Sequence, residues 1–582
     1  DIPFNNIAIN EIPKPISSLI FEDFSGNEIN LNEYHGKLVI INFWATWCAP
    51  CKKEMPSLDK LYQDNSFKNL KVFAVNMEQP NASKTKKFFN DLNIKKLEIY
   101  FDSNGLAITS GNKTQEGPIV RPDFNEGAFI LWGDYRNGSP GIYLQHISQS
   151  GQISLEEYGR EMYWGIDGNT VSTYATKPTS HYIGANETII GWSDQRFGAG
   201  EVINFGQKIY NNWENSEQKD GYELSKYLSY TDEGDLAGGH DFPIISTLGD
   251  NIIHFFPTQQ NWGPYLRYQL LDHNLNILGD DQGQSVTQSG FPHFWDTFRF
   301  INASNGYGYL SFSEQIDFWS YNIMIQKYDF SGNPIFSSAI NITPYSDSDK
   351  NVKDIHEIEG IGFFVVFQTE SWLTGNYVKV IGFDYNGNLL PGWDESITVD
   401  NSGNNQTYQG SIVTSSGIFV AYVREIGSPT DLDGDGVIEP GDETNYIDSN
   451  IYGQMISTNG EILGDVAGIP LAVRDGKQQN ASISYNELIE EIMICYEDRI
   501  NYAYYDISCL PINESLNIND EVIIGNLSNV NQVEPYTYAT LDGSYLVVWQ
   551  DDRNYTGNIA GNEDIYLQQI TNGEIIHQQN GI

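Results

Sequence analysis

The stretch Leu38-Val39-Ile40-Ile41-Asn42-Phe43-Trp44-Ala45-Thr46-Trp47-Cys48-Ala49-Pro50-Cys51 decides how the N-terminal part of the chain is read. An apolar, β-branched run leads into a Cys-x-x-Cys, and a helical pattern from Lys52 to Asp64 follows it. A strand ending in a Cys-x-x-Cys that opens a helix is a dithiol redox layout. The positive end of the helix favours a thiolate on the first cysteine, and the two-residue spacer lets the second close the disulfide. The competing readings are weaker. One pair supplies half of a zinc site, and Lys52 stands where c-type haem attachment needs histidine.

Working outward, Ile16 to Leu31 reads as a short hairpin, Leu19–Phe24 turning at Ser25-Gly26-Asn27. The helix after the cysteines carries Met55, Leu58, Leu61 and Tyr62 on one side, with Pro56 expected to kink it. Leu70–Val75 is a strand, Ser83–Leu92 a helix and Leu97–Phe101 a third strand. This alternation predicts an α/β layer with parallel pairing.

Gly36-Lys37, Phe43 through Cys51, Glu54-Met55-Pro56 and Ala74-Val75-Asn76 together resemble the periplasmic thioredoxin-like family of TlpA and ResA type, over residues 10–103. The resemblance implies a thiol-disulfide oxidoreductase facing an oxidising compartment. Cys48 would attack, Cys51 would resolve, Trp47 would shield the dithiol and Pro50 completes the motif. A protein disulfide substrate or a membrane thiol donor would be the partner, and no organic cofactor is implied. After Asp102 the family should continue with a Gly-x-Pro-Thr-like loop bearing a cis-proline, two strands and a last helix. The lookalike Gly138-Ser139-Pro140-Gly141 also fits the repeat described next, and is read as a repeat hairpin. The thioredoxin-like domain, residues 1–104, is therefore expected to lack its C-terminal part, and to expose apolar surface unless the following domain covers it.

From residue 105 short aromatic, β-branched runs alternate with Gly, Asn and Asp turns. The clearest unit is an apolar strand ending Trp-x-Asp-x-Arg, a turn, then Ile-Tyr-x-Gln. Residues 128–151 show it, and residues 545–573 repeat it. The anchors Trp132, Trp192, Phe255, Phe312, Phe367, Tyr422, Cys495 and Trp549 are spaced by 60, 63, 57, 55, 55, 73 and 54 residues. Gly581-Ile582 falls in the phase of Gly105-Leu106, so residues 105–582 hold a whole number of repeats. The fold class expected is an α/β thioredoxin-like segment plus an all-β propeller of eight repeats, closed as eight blades, with seven blades as the alternative. The recurring acid and arginine at Asp134/Arg136, Asp194/Arg196, Glu497/Arg499 and Asp551/Arg553 are read as hairpin hydrogen bonding, since a catalytic pair need not recur around a ring. The tryptophans are read as packing between blades.

Unit six is about 18 residues too long, and the excess holds Asp431-Leu432-Asp433-Gly434-Asp435-Gly436-Val437-Ile438-Glu439-Pro440-Gly441-Asp442. Carboxylates at positions 1, 3 and 5, Gly at 6 and an acid at 12 make an EF-hand-like loop. Asp431, Asp433, Asp435, Glu439 and Asp442 with the Val437 carbonyl would hold a structural Ca2+; the plainer reading is an acidic solvated loop. Cys495 is expected as a buried small apolar residue, and a hairpin near Arg499–Asn501 would pair it with a residue near Tyr505, leaving Cys509 past it, so that a disulfide between them is possible but not favoured.

The 77 acidic against 32 basic residues give a net charge of −45, which disfavours nucleic acid or an anionic membrane as partner. No run of 18 apolar residues exists, and the Asp1-Ile2-Pro3 start, lacking both Met and a signal-type apolar region, suggests a mature or trimmed chain. No linker separates the two parts, so the junction is either a natural fusion or an artificial join of unrelated genes. Three functions follow. One is a periplasmic or extracellular thiol-disulfide oxidoreductase with a propeller recruiting its substrates. Another is a secreted, calcium-stabilised propeller binding a protein or glycan, its thioredoxin-like segment an inactive remnant. A hydrolase or lyase on the propeller is third, with no unique acid–base constellation behind it.

Overall fold

In a computed structural model, the described residues are 20–23, 28–30, 34, 36–44, 49–63, 69–76, 82–101, 106–109, 114–122, 127–136, 141–148, 153–156, 158–164, 179–184, 187–194, 201–210, 221–224, 229–230, 244–260, 263–286, 298–317, 320–343, 349–371, 375–426, 448–499, 504–524, 530–552 and 563–576. The chain divides into two compact units, Asp1–Leu106 with Ile576–Ile582, and Ala107–Ile575.

In the N-terminal unit, β1 (Ile20–Asp23), β2 (Glu28–Asn30), β3 (Leu38–Trp44), α1 (Ala49–Gln63), β4 (Leu70–Asn76), α2 (Ala82–Asp91) and β5 (Ile99–Phe101) follow the expected alternation. The sheet order is β2-β1-β5-β4-β3, with β3 parallel to β4, β4 parallel to β5, and β1 antiparallel to both β2 and β5. Strand alternation sends Val72 and Ala74 to one face and Phe73 and Val75 to the other. Trp44, Met55, Val72, Ala74, Phe88, Phe89 and Leu97 pack on the first face, with Leu58 and Tyr62 against them, so α1 and α2 share it. Phe73, Val75 and Tyr100 form the second cluster. Pro56 sits inside α1, which continues through it to Gln63. Among the described residues no strand pairs with the outer edge of β3 and no peptide bond is cis.

Asp59 staples this unit. Its carboxylate accepts the backbone N–H of Lys95 (3.1 Å), Lys96 (2.7 Å) and Leu97 (2.9 Å), which fixes the turn between α2 and β5 onto α1. Burial pushes the Asp59 carboxyl up, but those backbone N–H groups and the Gln63 amide outweigh it and hold it below its ordinary value. Asp59→Ala leaves three donors unmet and is expected to destabilise the unit by about 3 kcal/mol, read by denaturant unfolding. A folded pKa below the unfolded one gives stability that is full above about pH 4 and lost as pH falls through the folded value. The variant should therefore lack part of the wild-type acid sensitivity below pH 4; an unchanged acid limb would contradict the assignment.

The second unit is built of antiparallel meanders. The first runs Gln115–Pro122, Ala128–Asp134, Gly141–Ile147, Arg160–Trp164, each strand pairing with the next. Seven more follow among the described residues, the sixth and seventh joined into one sheet through the Ser449–Lys477 bridge. The aromatic anchors all sit in second strands: Ala128–Asp134, Glu187–Asp194, Asn251–Gln260, Gly308–Asp317, Gly362–Glu370, Gly417–Ile426, Glu491–Arg499 and Ser544–Asp551. All eight are essentially fully buried, from Trp132, Trp192 and Phe255 to Cys495 and Trp549. Clusters span neighbouring meanders, as where Phe129, Leu131 and Leu144 meet Ile190, Trp192 and Phe205. Two anchors need glycine beside them. A Cβ at Gly159 or Gly221, both at positive φ, would overlap the ring of Trp132 or Trp192.

Asp134 serves its own hairpin, accepting Trp132 Nε1–H (3.0 Å) and the Arg136 backbone N–H (2.8 Å) and pairing with the Arg136 guanidinium. Trp549 Nε1–H donates to Asp551 in the same way at 3.2 Å. Arg196 and Arg553 lie outside the described residues. Asp134 pairs antiparallel with Gly141, so the Gly138–Pro140 lookalike joins two adjacent strands of the first meander, with its own conformation outside the described residues.

One expectation is corrected. Cys495 and Cys509 form a disulfide. The strands stop at Arg499 and restart at Asp506, so no tight turn links them; the register Asp498↔Asp506 brings Cys495 directly opposite Cys509. The pairing is centred past the expected Arg499–Asn501, which is why the partner of Cys495 is Cys509 and not a residue near Tyr505.

Candidate functional site

β3 delivers the chain to the dithiol segment. Its last residue, Trp44, is fully buried, stacked on Phe88 at 4.5 Å and tilted on Phe89 at 5.3 Å, so the strand end is anchored by α2. α1 then starts at Ala49, making Cys48 the residue immediately before the helix. Trp47 and Cys48 lie outside the described residues; Pro50 and Cys51 lie on the first turn of α1, their side chains outside the described set. No acidic residue occupies that first turn. The first-turn N–H groups that no helix carbonyl can accept, three because Pro50 has none, and the positive end of a 15-residue helix therefore come directly after the first cysteine in sequence, without a competing carboxylate in the turn. A thiol in such a field ionises more readily and becomes the better nucleophile.

At the opposite end of the β3–β4 pair, where Val39 faces Lys71, Lys71 on β4 bonds Glu98 at 2.7 Å and Tyr100 at 2.8 Å and lies over the Phe73 ring at 5.0 Å. Burial pulls the Lys71 ammonium down, but the Glu98 and Tyr100 hydrogen bonds prevail and raise it. Burial pushes the Tyr100 phenol up as well. Both groups thus keep their ordinary charge states, and the trio ties β4 to β5.

The Asp431–Asp442 loop lies outside the described residues. Among the described residues no group of three or more His, Cys, Asp or Glu side chains is placed to hold a metal. The sequence reading passed over a second polar cluster, of Arg299, Asp354, His356, Tyr408 and Ser411. Its members come from three different repeats, and no local spacing announces them; the only signal was polar residues in strands that otherwise alternate.

Residues 12–112 match the AhpC/TSA family. The chain is 34% identical over 98 residues to the thiol-disulfide oxidoreductase ResA of Bacillus thuringiensis subsp. konkukian, covering 17% of this chain and 56% of that protein. It spans about half the length of the curated relatives it matches. Among solved structures, the thioredoxin domain of a thiol-disulfide oxidoreductase from Bacteroides vulgatus is similar at 18% identity and a TM-score of 0.14, covering 25% of this chain and 86% of that one. The polysaccharide lyase Uly1 is similar at 11% identity and a TM-score of 0.40, covering 72% and 94%. The N-terminal segment is thus thioredoxin-like, and the remainder is β-rich. No helix among the described residues is long and apolar enough to cross a membrane.

Proposed function

We propose that the chain is a periplasmic or extracellular thiol-disulfide oxidoreductase whose second unit is an eight-bladed β-propeller. The observation that carries the redox reading is β3 running, parallel to β4, into a Cys-x-x-Cys whose second cysteine is on the first turn of α1. Cys48 thiolate attacks one sulfur of a substrate disulfide, and the other leaves as a thiolate. Cys51 then attacks the Cys48 sulfur of the mixed disulfide, freeing the second substrate thiol and leaving a Cys48–Cys51 bond. Two electrons pass to the substrate, and a thiol donor at the membrane restores the dithiol. Protein disulfides are the substrates, and the propeller recruits them or a glycan.

The propeller reading is supported by eight meanders and by hydrogen bonds between the first and last of them. Gln115 N–H donates to the Glu563 carbonyl at 2.9 Å, and Arg121 bonds the Tyr536 hydroxyl. Such first-to-last pairing is how a ring removes its open ends, and eight units favour eight blades over seven. The buried Cys495–Cys509 bond supports an oxidising compartment. The Asp431–Asp442 loop would bind structural Ca2+.

A second reading is favoured by one observation: the outer edge of β3 has no strand beside it among the described residues. On that reading the thioredoxin-like segment is an inert remnant on a secreted binding propeller. The pH dependence of Cys48 alkylation by iodoacetamide separates the two, using the reduced full chain carrying Cys51→Ser. Half-maximal reactivity a unit or more below the usual thiol pKa of about 8.5 is the expected result. Ordinary or absent reactivity would sink the oxidoreductase.

A further inference from the structure

The first strands of the fourth, fifth and sixth meanders, Phe298–Asn302, Asp349–Ile358 and Gln406–Thr414, lie side by side. Two of them carry β-bulges, between Val352 and Asp354 and between Tyr408 and Gly410. A bulge shifts the alternation of a strand by one residue and re-aims the side chain after it. Here the first bulge re-aims Asp354, and the second, falling between Tyr408 and Ser411, brings those two onto one face beside Asp354. The Tyr408 hydroxyl is 3.1 Å from Asp354 Oδ2 and 2.8 Å from Ser411 Oγ. His356 Nε2 is 2.7 Å from Ser411 Oγ and 3.2 Å from Asp354 Oδ2. Asp354 Oδ1 accepts the Ile355 N–H at 2.9 Å. The cluster is half-buried: the Asp354 side chain is 33% and the His356 side chain 17% exposed, and Ser411 is buried.

The arrangement excludes a serine nucleophile of the Ser-His-Asp kind. There the carboxylate and the serine sit on opposite ring nitrogens. Here both sit on Nε2, so the ring cannot take a proton from serine on one nitrogen while a carboxylate holds the other. Burial pushes the Asp354 carboxyl up, but the His356 ring and the Arg299 charge outweigh it and hold it below its ordinary value. An anionic ligand would therefore meet an ionised Asp354, and a cationic one would meet Arg299. Neutral hydroxyls, which both donate and accept, match an array of carboxylate, imidazole, phenol, alcohol and guanidinium. The backbone beneath is held in place: Tyr408 N–H donates to Gln368 Oε1 at 3.1 Å, and Ala481 N–H to Gln409 Oε1 at 2.8 Å. Such pinning of neighbouring residues keeps a binding array preorganised.

We propose that Asp354, His356, Tyr408 and Ser411, within the field of the Arg299 charge, form a binding site for an uncharged, hydroxyl-rich ligand of the saccharide class. The site belongs to the second unit and the dithiol segment to the first, and saccharide binding does not use the dithiol, so the two readings fail independently.

Calorimetric titration of the full chain with cellohexaose, maltohexaose, xylohexaose and hexagalacturonate tests it. At least one neutral hexaose is expected to bind, ten times or more tightly than hexagalacturonate. Tyr408→Phe and Ser411→Ala should each weaken that binding at least tenfold with the melting temperature kept. Tyr408→Phe retains the ring that packs on the buried core beneath it, so it isolates the hydroxyl. Should either variant fold poorly, the other carries the comparison. Absence of saturable binding by every neutral hexaose, preference for hexagalacturonate, or binding indifferent to a folded variant would each overturn the proposal.

Discussion

Removing both sulfurs of the Cys495–Cys509 bond is expected to lower the stability of the surrounding strands by about 3 kcal/mol, the loop-closure effect for a crosslink of this span. The two cysteines are 14 residues apart in sequence and directly opposed in register. Both are completely buried among Met493, Ile507, Val522, Val547, Trp549 and Tyr566. The environment makes the choice of replacement informative. Alanine at both positions removes the crosslink and leaves a small apolar gap. Serine adds buried hydroxyls in apolar surroundings and is expected to cost about 1–3 kcal/mol more. Hydrogen exchange of Glu491–Arg499 and Asp506–Asn513 reads the effect. A loss of about 3 kcal/mol speeds exchange through opening by somewhat more than two decades. Because the sulfurs are buried, a thiol reductant should reach them only on opening, so the native protein should resist reduction. Equal protection in wild type and the double alanine variant would show that the bond does not constrain these strands.

This bond also shows where reading from sequence stops. Cys495 was legible as an anchor, because the repeat places a buried residue there in every unit. Its partner was not legible, because register depends on the length of a connection that is not a tight turn, and a slip of a few residues changes every pairing. The thioredoxin-like strands and helices were legible for a complementary reason. Their signal is local: an apolar run, a Cys-x-x-Cys and a 3.6-residue periodicity carrying Met55, Leu58 and Tyr62, all of which reach the core. The saccharide-site candidates were invisible for the opposite reason. Arg299, Asp354 and Tyr408 are about 55 residues apart in successive repeats, and two bulges break the alternation that would have announced their direction. The buried acids at the meander hairpins were legible as repeats, and Asp134 shows the physical meaning of the recurrence: one carboxylate closes its own turn through Trp132 and Arg136.

His254 should make the stability of the third meander fall as the solution is acidified, and replacing it should remove that dependence. The ring is completely buried and stacked on Phe256 at 4.8 Å. Burial pulls its pKa down to about 3, and the Leu224 backbone offsets this only in part. In the unfolded chain the same imidazole titrates near 6.5. Between those values the unfolded state binds a proton that the folded state refuses. Stability is therefore full above about pH 6.5 and falls by about 1.4 kcal/mol per unit below it, reaching on the order of 5 kcal/mol near pH 3. Other groups act with the opposite sign in part of that window. Asp506, which burial and then the Asp498 charge push up to about 6, binds its proton more readily when folded, and so favours the folded state as pH falls. That contribution is common to wild type and a His254→Leu variant, and cancels in their difference. Urea unfolding at pH 7.5, 6 and 5 measures that difference. At pH 7.5 the variant should be equal or somewhat weaker, having lost the stacking on Phe256. By pH 5 its relative stability should have risen by about 2 kcal/mol, which can reverse the order. Parallel pH profiles would mean that the folded protein accepts the proton, and that the ring reaches water or a polar partner.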